Sequence, residues 1–175
     1  EEEYQLFLER GVKICHAPAH YGQLGEHTVD TGQIGRFLRD GAKVSSSSDG
    51  DITYIGAMPE AMRSAHLGHN EALNDVFACP PTTALLTGTR YAAAALGWED
   101  KLGSLEAGKQ ADVVMVDIDD WRYRIGHHPL RTFLVAGGSK DVTDVMVAGR
   151  MVVENGKSTT MDEEKLFAEY EKAVA

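Results

Sequence analysis

The chain has 175 residues, 43% of them hydrophobic and 25% charged, with a formal net charge of −10. That length accommodates one domain with a real core, or a domain plus part of another, and the composition is ordinary for a globular protein. The acidic balance argues against nucleic acid or an anionic membrane as partner, since both attract clustered Lys and Arg, and no apolar run approaches the roughly 18 to 20 residues of a membrane span.

The opening stretch, EEEYQLFLERG, predicts a helix with Tyr4, Leu6, Phe7 and Leu8 apolar, stopped by Gly11 and followed at once by a strand from Val12 to His16. It is acidic and lacks a signal peptide's apolar core. A chain opening inside a helix, without cap or leader, is read either as the cut form of a longer protein or as a genuine short one. TGQIGRFLRDG repeats the grammar: Ile34, Phe37 and Leu38 fall at helical spacing, Gly41 is the stop, and AKVSSSSDG follows as a strand. Helix, glycine, strand, twice over, is the rhythm of a parallel α/β sheet. After Asp49 come DITYIGAM and then Pro59 in a helix's first turn, with Met58, Met62, Ala65 and His66 on one face. A further helix follows CPPTT and runs through RYAAAALGW to Gly97.

Beyond Gly97 the texture changes. ADVVMVDID holds a strand from Val113 to Asp117, entered through Gly108, and HHPLRTFLVAGGS predicts one or two helical turns closed by Gly137 and Gly138. VTDVMVAGRMVVENGK reads as a hairpin with its turn at Ala148-Gly149-Arg150 and a second turn at Asn155-Gly156. The chain ends in MDEEKLFAEYEKAVA, an amphipathic helix capped by Asp162, with Leu166, Phe167, Tyr170 and Val174 expected to face inward. Cys15 and Cys79 are the only cysteines, in apolar contexts and without C-x-x-C spacing, which points to a reduced cytoplasmic setting and no structural disulfide.

In parallel sheets functional groups gather at the carboxyl ends of the strands, where loops vary on a rigid frame. His16 and Asp49 each sit at such an end. Strand alternation would put Asp49 on one face with Ser47 and Ser45, and His16 with Ile14 and Val12. If both faces point into a barrel, a carboxylate and an imidazole converge at one mouth, among small hydroxyls able to bond a ligand. The plain readings stand beside this: Asp-Gly after a strand is a common turn, and a histidine on an apolar strand is commonly a satisfied core residue.

Three longer motifs carry a resemblance. GVKICHAPAHYGQLGE is similar to a strand-seven signature, G-V-x-V-x-H-N-P-x-S-N-x-x-L, and LRDGAKVSSSSDG to the strand-eight pattern L-x-x-G-V-x-V-x-L-G-T-D-G. LGWEDKLGSLEAGKQADVVMVD is close to L-G-x-x-x-x-I-G-S-L-x-x-G-K-x-A-D-L-V-x-x-D, and DVTDVMVAGRMVVENGK resembles the closing hairpin that follows it. In order and over nearly the whole chain, these resemble the C-terminal portion of the amidohydrolase superfamily, in the branch of aminohydrolases and chlorohydrolases acting on nitrogen heterocycles.

The resemblance implies an α/β fold: the last βα units of a TIM (β/α)8 barrel over residues 1–95, part of a small β-sandwich domain over 96–160, and a C-terminal helix over 161–175. It implies a metal-dependent hydrolase that deaminates a nucleobase- or triazine-like ring. A hydroxide on a divalent metal, zinc or else iron, attacks an sp² ring carbon, and the strand-eight aspartate, Asp49, binds the metal and carries the proton to the departing amine. His16 matches the strand-seven histidine that organises the pocket. Thr53 falls where a substrate-contacting hydroxyl is common, and His20 stands with Tyr21 where the family has Ser-Asn, a substrate-contacting place. The His66/His69 pair, facing partly outward, and the loop pair His127-His128 are weaker metal candidates. The family's H-x-H ligand motif occurs nowhere in the chain, and two strands fall short of the eight that close a barrel. The chain by itself is therefore expected to be inactive, with the rest of the barrel on the same or a separate polypeptide, and the assembly a homo-oligomer. Hydrolytic dechlorination on the same scaffold is the alternative chemistry; an inert remnant serving as an interaction module is the alternative role.

Overall fold

A computed structural model gives the structure of residues 1–49 and 57–174. Its first half alternates helix and strand: α1 (Glu2–Glu9), β1 (Ile14–His16), α2 (Pro18–Leu24), α3 (Gln33–Arg39) and β2 (Val44–Ser46). Gly11 and Gly41 take φ of +58° and +90°, a left-handed conformation that a Cβ resists, so each helix ends there and the chain turns into a strand. β1 and β2 are parallel, pairing Ile14 with Val44, Cys15 with Ser45 and His16 with Ser46. The Ser47 N–H donates to the His16 carbonyl at 2.9 Å. Both strands are shorter than the sequence predicts, because a strand extends only as far as its neighbour offers hydrogen-bonding partners.

α4 (Met58–Leu73), α5 (Pro81–Thr87) and α6 (Arg90–Ala95) follow. α4 buries Ala61, Met62, Ala65, His66 and His69. With Tyr4, Phe37, Leu38, Val44, Cys79 and Ala84, Met62 and Ala65 form one buried cluster, which Leu134 joins from the second half. Tyr4 stacks on Phe37 with ring centroids 4.4 Å apart, and its hydroxyl donates to Asp40 at 2.6 Å. α1 and α3 are thereby tied by one aromatic pair and one charge-assisted bond.

The second half holds β3 (Val113–Val116), α7 (Trp121–Gly126), α8 (Pro129–Val135), a 3₁₀ turn at Ser139–Asp141, β4 (Val142–Val147), β5 (Arg150–Glu154), β6 (Lys157–Ser158) and α9 (Glu163–Val174). The four strands form an antiparallel sheet in the order β3-β4-β5-β6. Both expected turns are present. Ala148-Gly149 and Asn155-Gly156 all have positive φ, the backbone sense that matches the twist of a tight hairpin. The helix α7 has no counterpart in the sequence reading, although Asp120 caps it by accepting the Arg122 N–H at 2.8 Å.

The two halves are joined by polar contacts that local patterning does not reveal. Arg63 of α4 donates to the carbonyls of Leu134 and Gly137, and Ser139 donates to Glu60 at 2.7 Å. Buried Asp141 accepts from Arg122 Nη2 at 2.8 Å and from the Tyr123 hydroxyl at 2.7 Å. Burial pushes the Asp141 carboxyl up, and these hydrogen bonds outweigh it, holding it below the usual range. Asp141→Ala is expected to cost about 2 kcal/mol, since it leaves the Tyr123 hydroxyl and part of the Arg122 fork unpaired. Urea denaturation with an unchanged m-value would measure it.

The C-terminal helix departs from expectation. Asp162 does cap α9, accepting the Lys165 N–H at 3.0 Å. Leu166, Phe167, Tyr170 and Val174, however, face solvent rather than the core, and no residue of α9 is buried. A hydrophobic stripe states that a helix has an apolar face, not which surface will cover it. No helix among the described residues is long and apolar enough to cross a membrane.

Candidate active site

His16 ends β1 and Asp49 lies three residues past the end of β2. The His16 ring is only 5% exposed and its Nε2 lies 3.0 Å from Thr28 Oγ1. Tyr21 stacks beside it at 6.4 Å and the His69 ring packs against it at 5.2 Å. Burial lowers the His16 pKa to about 4, so the ring is neutral near pH 7 and can serve as a hydrogen-bonding wall rather than a cation.

Asp49 is not placed by strand alternation, as the sequence reading expects. β2 stops at Ser46, and Asp49 adopts φ of +60° with its N–H donating to Ser47 Oγ at 3.1 Å. This short turn swings the carboxylate toward α2, where Oδ2 lies 3.8 Å from His20 Nε2. That separation is too long for a direct hydrogen bond. His20 is buried, meets Tyr21 edge-on at 5.5 Å, and has an Nδ1 without a partner among the described residues. The Asp49 side chain is 49% exposed, leaving its oxygens open to an incoming group. Thr53 lies outside the described residues.

The serine run does less at the site than expected. Ser45 Oγ donates to the Ile14 carbonyl at 3.2 Å, and Ser46 Oγ shares a buried hydrogen bond with Thr87 Oγ1 at 2.7 Å. Both hydroxyls thus tie the strands to each other and to α5. Only Ser47 shapes the turn that carries Asp49.

His66 and His69 face inward, contrary to the sequence reading. His66 Nδ1 lies 2.6 Å from the Cys79 carbonyl and anchors the approach to α5. His69 is 1% exposed, and neither ring nitrogen has a partner among the described residues. Its pKa is lowered to about 4, by burial first and by His16 second. The signal was available: the apolar face of α4 continues one more turn from Ala65 and His66 to His69. Thr87 carries no local pattern that marks it, because it meets Ser46 across 41 residues of chain. His127 and His128 occupy the C-cap position of α7 and the N-cap position of α8.

A carboxylate with free lone pairs fits one oxygen ligand of a divalent cation. Among the described residues, however, no three His, Cys, Asp or Glu side chains converge as a cation site requires. Catalytic zinc sites take three protein ligands, so the donors present account for only part of one.

The pattern that defines the amidohydrolase family matches residues 1–152. This chain belongs to the amidohydrolase family. A 5-methylthioadenosine/S-adenosylhomocysteine deaminase of Thermoanaerobacter pseudethanolicus is 29% identical over 175 residues, covering 98% of this chain and 39% of that protein. Among solved structures, an adenosine deaminase from Xanthomonas campestris with bound zinc superposes with a TM-score of 0.88 at 30% identity, over 98% of this chain and 38% of the other. An atrazine chlorohydrolase from Arthrobacter aurescens TC1 complexed with zinc gives 0.85 at 27% identity, over 99% and 38%. The mixed α/β fold is therefore that of amidohydrolase structures. The amidohydrolase chain described here spans about two fifths of the length of the relatives it matches.

Proposed function

We propose that this chain is the Asp49-bearing part of a metal-dependent amidohydrolase that hydrolytically deaminates a nitrogen heterocycle. In this reading residues 1–95 are the last βα units of a (β/α)8 barrel, 96–160 belong to an auxiliary β-sandwich, and 161–175 form a terminal helix. The remaining cation ligands come from polypeptide outside these 175 residues, on the same chain or another. The single observation that carries the reading is the half-exposed Asp49 carboxylate at the carboxyl end of a parallel strand pair, held by a short turn 3.8 Å from His20. The family membership and the zinc in two superposable structures support it.

A divalent cation, zinc first, would make water nucleophilic near pH 7. The chain's own residues do the rest. Asp49 offers one oxygen ligand and a base able to accept the water's proton and return it to the leaving amine. Tyr21 and the neutral His16 ring form a flat wall suited to a planar heterocycle, and His20 stands beside Asp49 as a hydrogen-bonding contact. Thr53 remains a proposed substrate contact.

The test uses the polypeptide that completes the site. Purified material is expected to hold about one zinc per site and to release ammonia from purine-type substrates. Removing zinc with a chelator should abolish that release, and re-adding it should restore it. Chloride rather than ammonia, released from a chlorotriazine, would favour the second reading, dechlorination, which the likeness to the atrazine chlorohydrolase supports. A metal-free protein inert in both assays would overturn both.

A further inference from the structure

The segment 25–32, between α2 and α3, is pinned along α4. Val29 lies against Gly68, where a Cβ would stand 2.8 Å from the valine Cγ1, and Gly32 lies against Leu73, where a Cβ would stand 2.8 Å from Cδ2. Only a residue without a side chain lets the segment and the helix come this close. The Gly32 N–H donates to the Val29 carbonyl at 2.9 Å, closing the turn between the two anchors. The segment is thus a strap whose place α4 sets, and it brings Thr28 Oγ1 to 3.0 Å from His16 Nε2.

The same helix backs the ring. His69 follows Gly68 directly and packs against His16 at 5.2 Å, while Tyr21 stacks at 6.4 Å. Neither nitrogen of His69 has a partner among the described residues, so His69 acts on His16 as a wall and not through a hydrogen bond. Thr28 is then the one group among the described residues that hydrogen-bonds to the His16 ring. The sense of that bond decides what His16 offers, because a neutral imidazole has one donor nitrogen and one acceptor. Thr28 Oγ1 has no other partner among the described residues. If Nε2 held the ring proton, this half-buried hydroxyl would accept it and leave its own proton without an acceptor. With the hydroxyl donating, that proton is used, Nε2 is the acceptor and Nδ1 carries the ring proton.

We infer that Thr28 is a positioning residue: held by the strap, its hydroxyl donates to His16 Nε2 and fixes Nδ1–H as the donor that His16 presents to a ring-nitrogen lone pair of the heterocycle. The contact with substrate rests on the deaminase reading, whereas the tautomer of His16 does not. Val29 and Gly68 act at one remove, since their packing sets where Thr28 stands.

The test uses the polypeptide that completes the site, with its histidines labelled with nitrogen-15, so that nuclear magnetic resonance reads the protonation of each ring nitrogen. The His16 signals are those lost in His16→Gln. Near pH 7 the unaltered protein should show one neutral His16 tautomer, with the proton on Nδ1. Thr28→Val, which removes the hydroxyl and keeps the shape, should give a mixture of both tautomers. It should also raise KM for purine-type substrates about tenfold, the worth of one hydrogen bond, with kcat within about twofold. Thr28→Ser should match the unaltered protein. Gly68→Ala should act like Thr28→Val by displacing Val29, and adding Val29→Ala should restore both readouts. A proton on Nε2 in the unaltered protein, or an unchanged tautomer in Thr28→Val, overturns the inference. So does a Thr28→Ser protein that matches Thr28→Val, since the side chain then acts by its shape. A tautomer that shifts while KM stays fixed overturns the contact between Nδ1 and substrate. A tautomer that shifts in a protein without deaminase activity in any form upholds the role of Thr28 and removes the deaminase reading instead.

Discussion

Asp49→Asn should reduce hydrolysis by about 10³-fold or more in the polypeptide that completes the site, while leaving the fold intact. The size follows from the two roles proposed for one carboxylate. General acid–base transfer by itself contributes about 10² to 10⁴-fold, and an amide neither takes the proton nor binds a divalent cation with comparable strength. Stability should move by no more than about 0.5 kcal/mol. The side chain is half exposed, and among the described residues its ion-pairing neighbour is His20 at 3.8 Å. The backbone also tolerates the change: Asp49 has φ of +60°, a left-handed conformation that Asn adopts more readily than other non-glycine residues. The comparison is kcat/KM beside thermal denaturation of both proteins. A variant retaining more than a tenth of the activity would remove Asp49 from the chemistry. A variant that has lost its fold would make Asp49 a structural residue instead.

Acid should unfold the protein through two histidines, over a pH window distinct from that of its carboxylates. His16 and His69 are buried, with pKa values lowered to about 4 from 6.5. Between those values the unfolded chain binds two protons that the folded chain refuses. Stability is then complete above pH 6.5, falls as pH drops, and has lost the whole contribution near pH 4. Each shift corresponds to about 3 kcal/mol, a large fraction of the roughly 5 to 15 kcal/mol of a typical domain. Asp40 and Asp141, whose pKa values are lowered by their partners, act lower: their contribution is present above about pH 4 and is lost as pH falls further. His69→Phe removes one proton from the balance and should halve the slope of stability against pH between 4 and 6.5. Urea midpoints taken across that range measure it, and an unchanged slope would show that His69 is accessible to protons in the folded state.

Much of the fold is legible in particular residues. Gly11 and Gly41 end helices because only a residue without a Cβ enters that left-handed turn without strain, so the helix–glycine–strand repeat can be read from spacing. Asn155-Gly156 marks its hairpin turn for the same local reason. Asp162 is a cap because its side chain reaches a backbone N–H three residues on, a contact that sequence distance alone controls. The boundaries were less legible. β1 and β2 end where their ladder partners end, and α7 follows a tract that carries no helical period.

The candidate site divides in the same way. His16, Asp49 and His20 come from strand ends and from motifs continuous in the chain, and each can be named without a structure. Their arrangement cannot. Whether Asp49 follows the strand's alternation depends on where β2 stops, and that is decided by β1 lying beside it. His69 reaches His16 only because α4 packs across the strand pair, and Ser46 is satisfied by Thr87, 41 residues away.

The local sequence of this protein determines its helix stops, its hairpin turns, its membership in a family and which carboxylate, Asp49, is the candidate. Each of these depends on backbone conformation or on residues adjacent in the chain. Tertiary packing alone decided that His69 meets His16, that the hydroxyls of Ser45 and Ser46 join elements instead of lining a pocket, and that the apolar stripe of α9 is exposed among the described residues. Burial is a property of the surface presented by another element, and a helix or strand does not encode which element that will be.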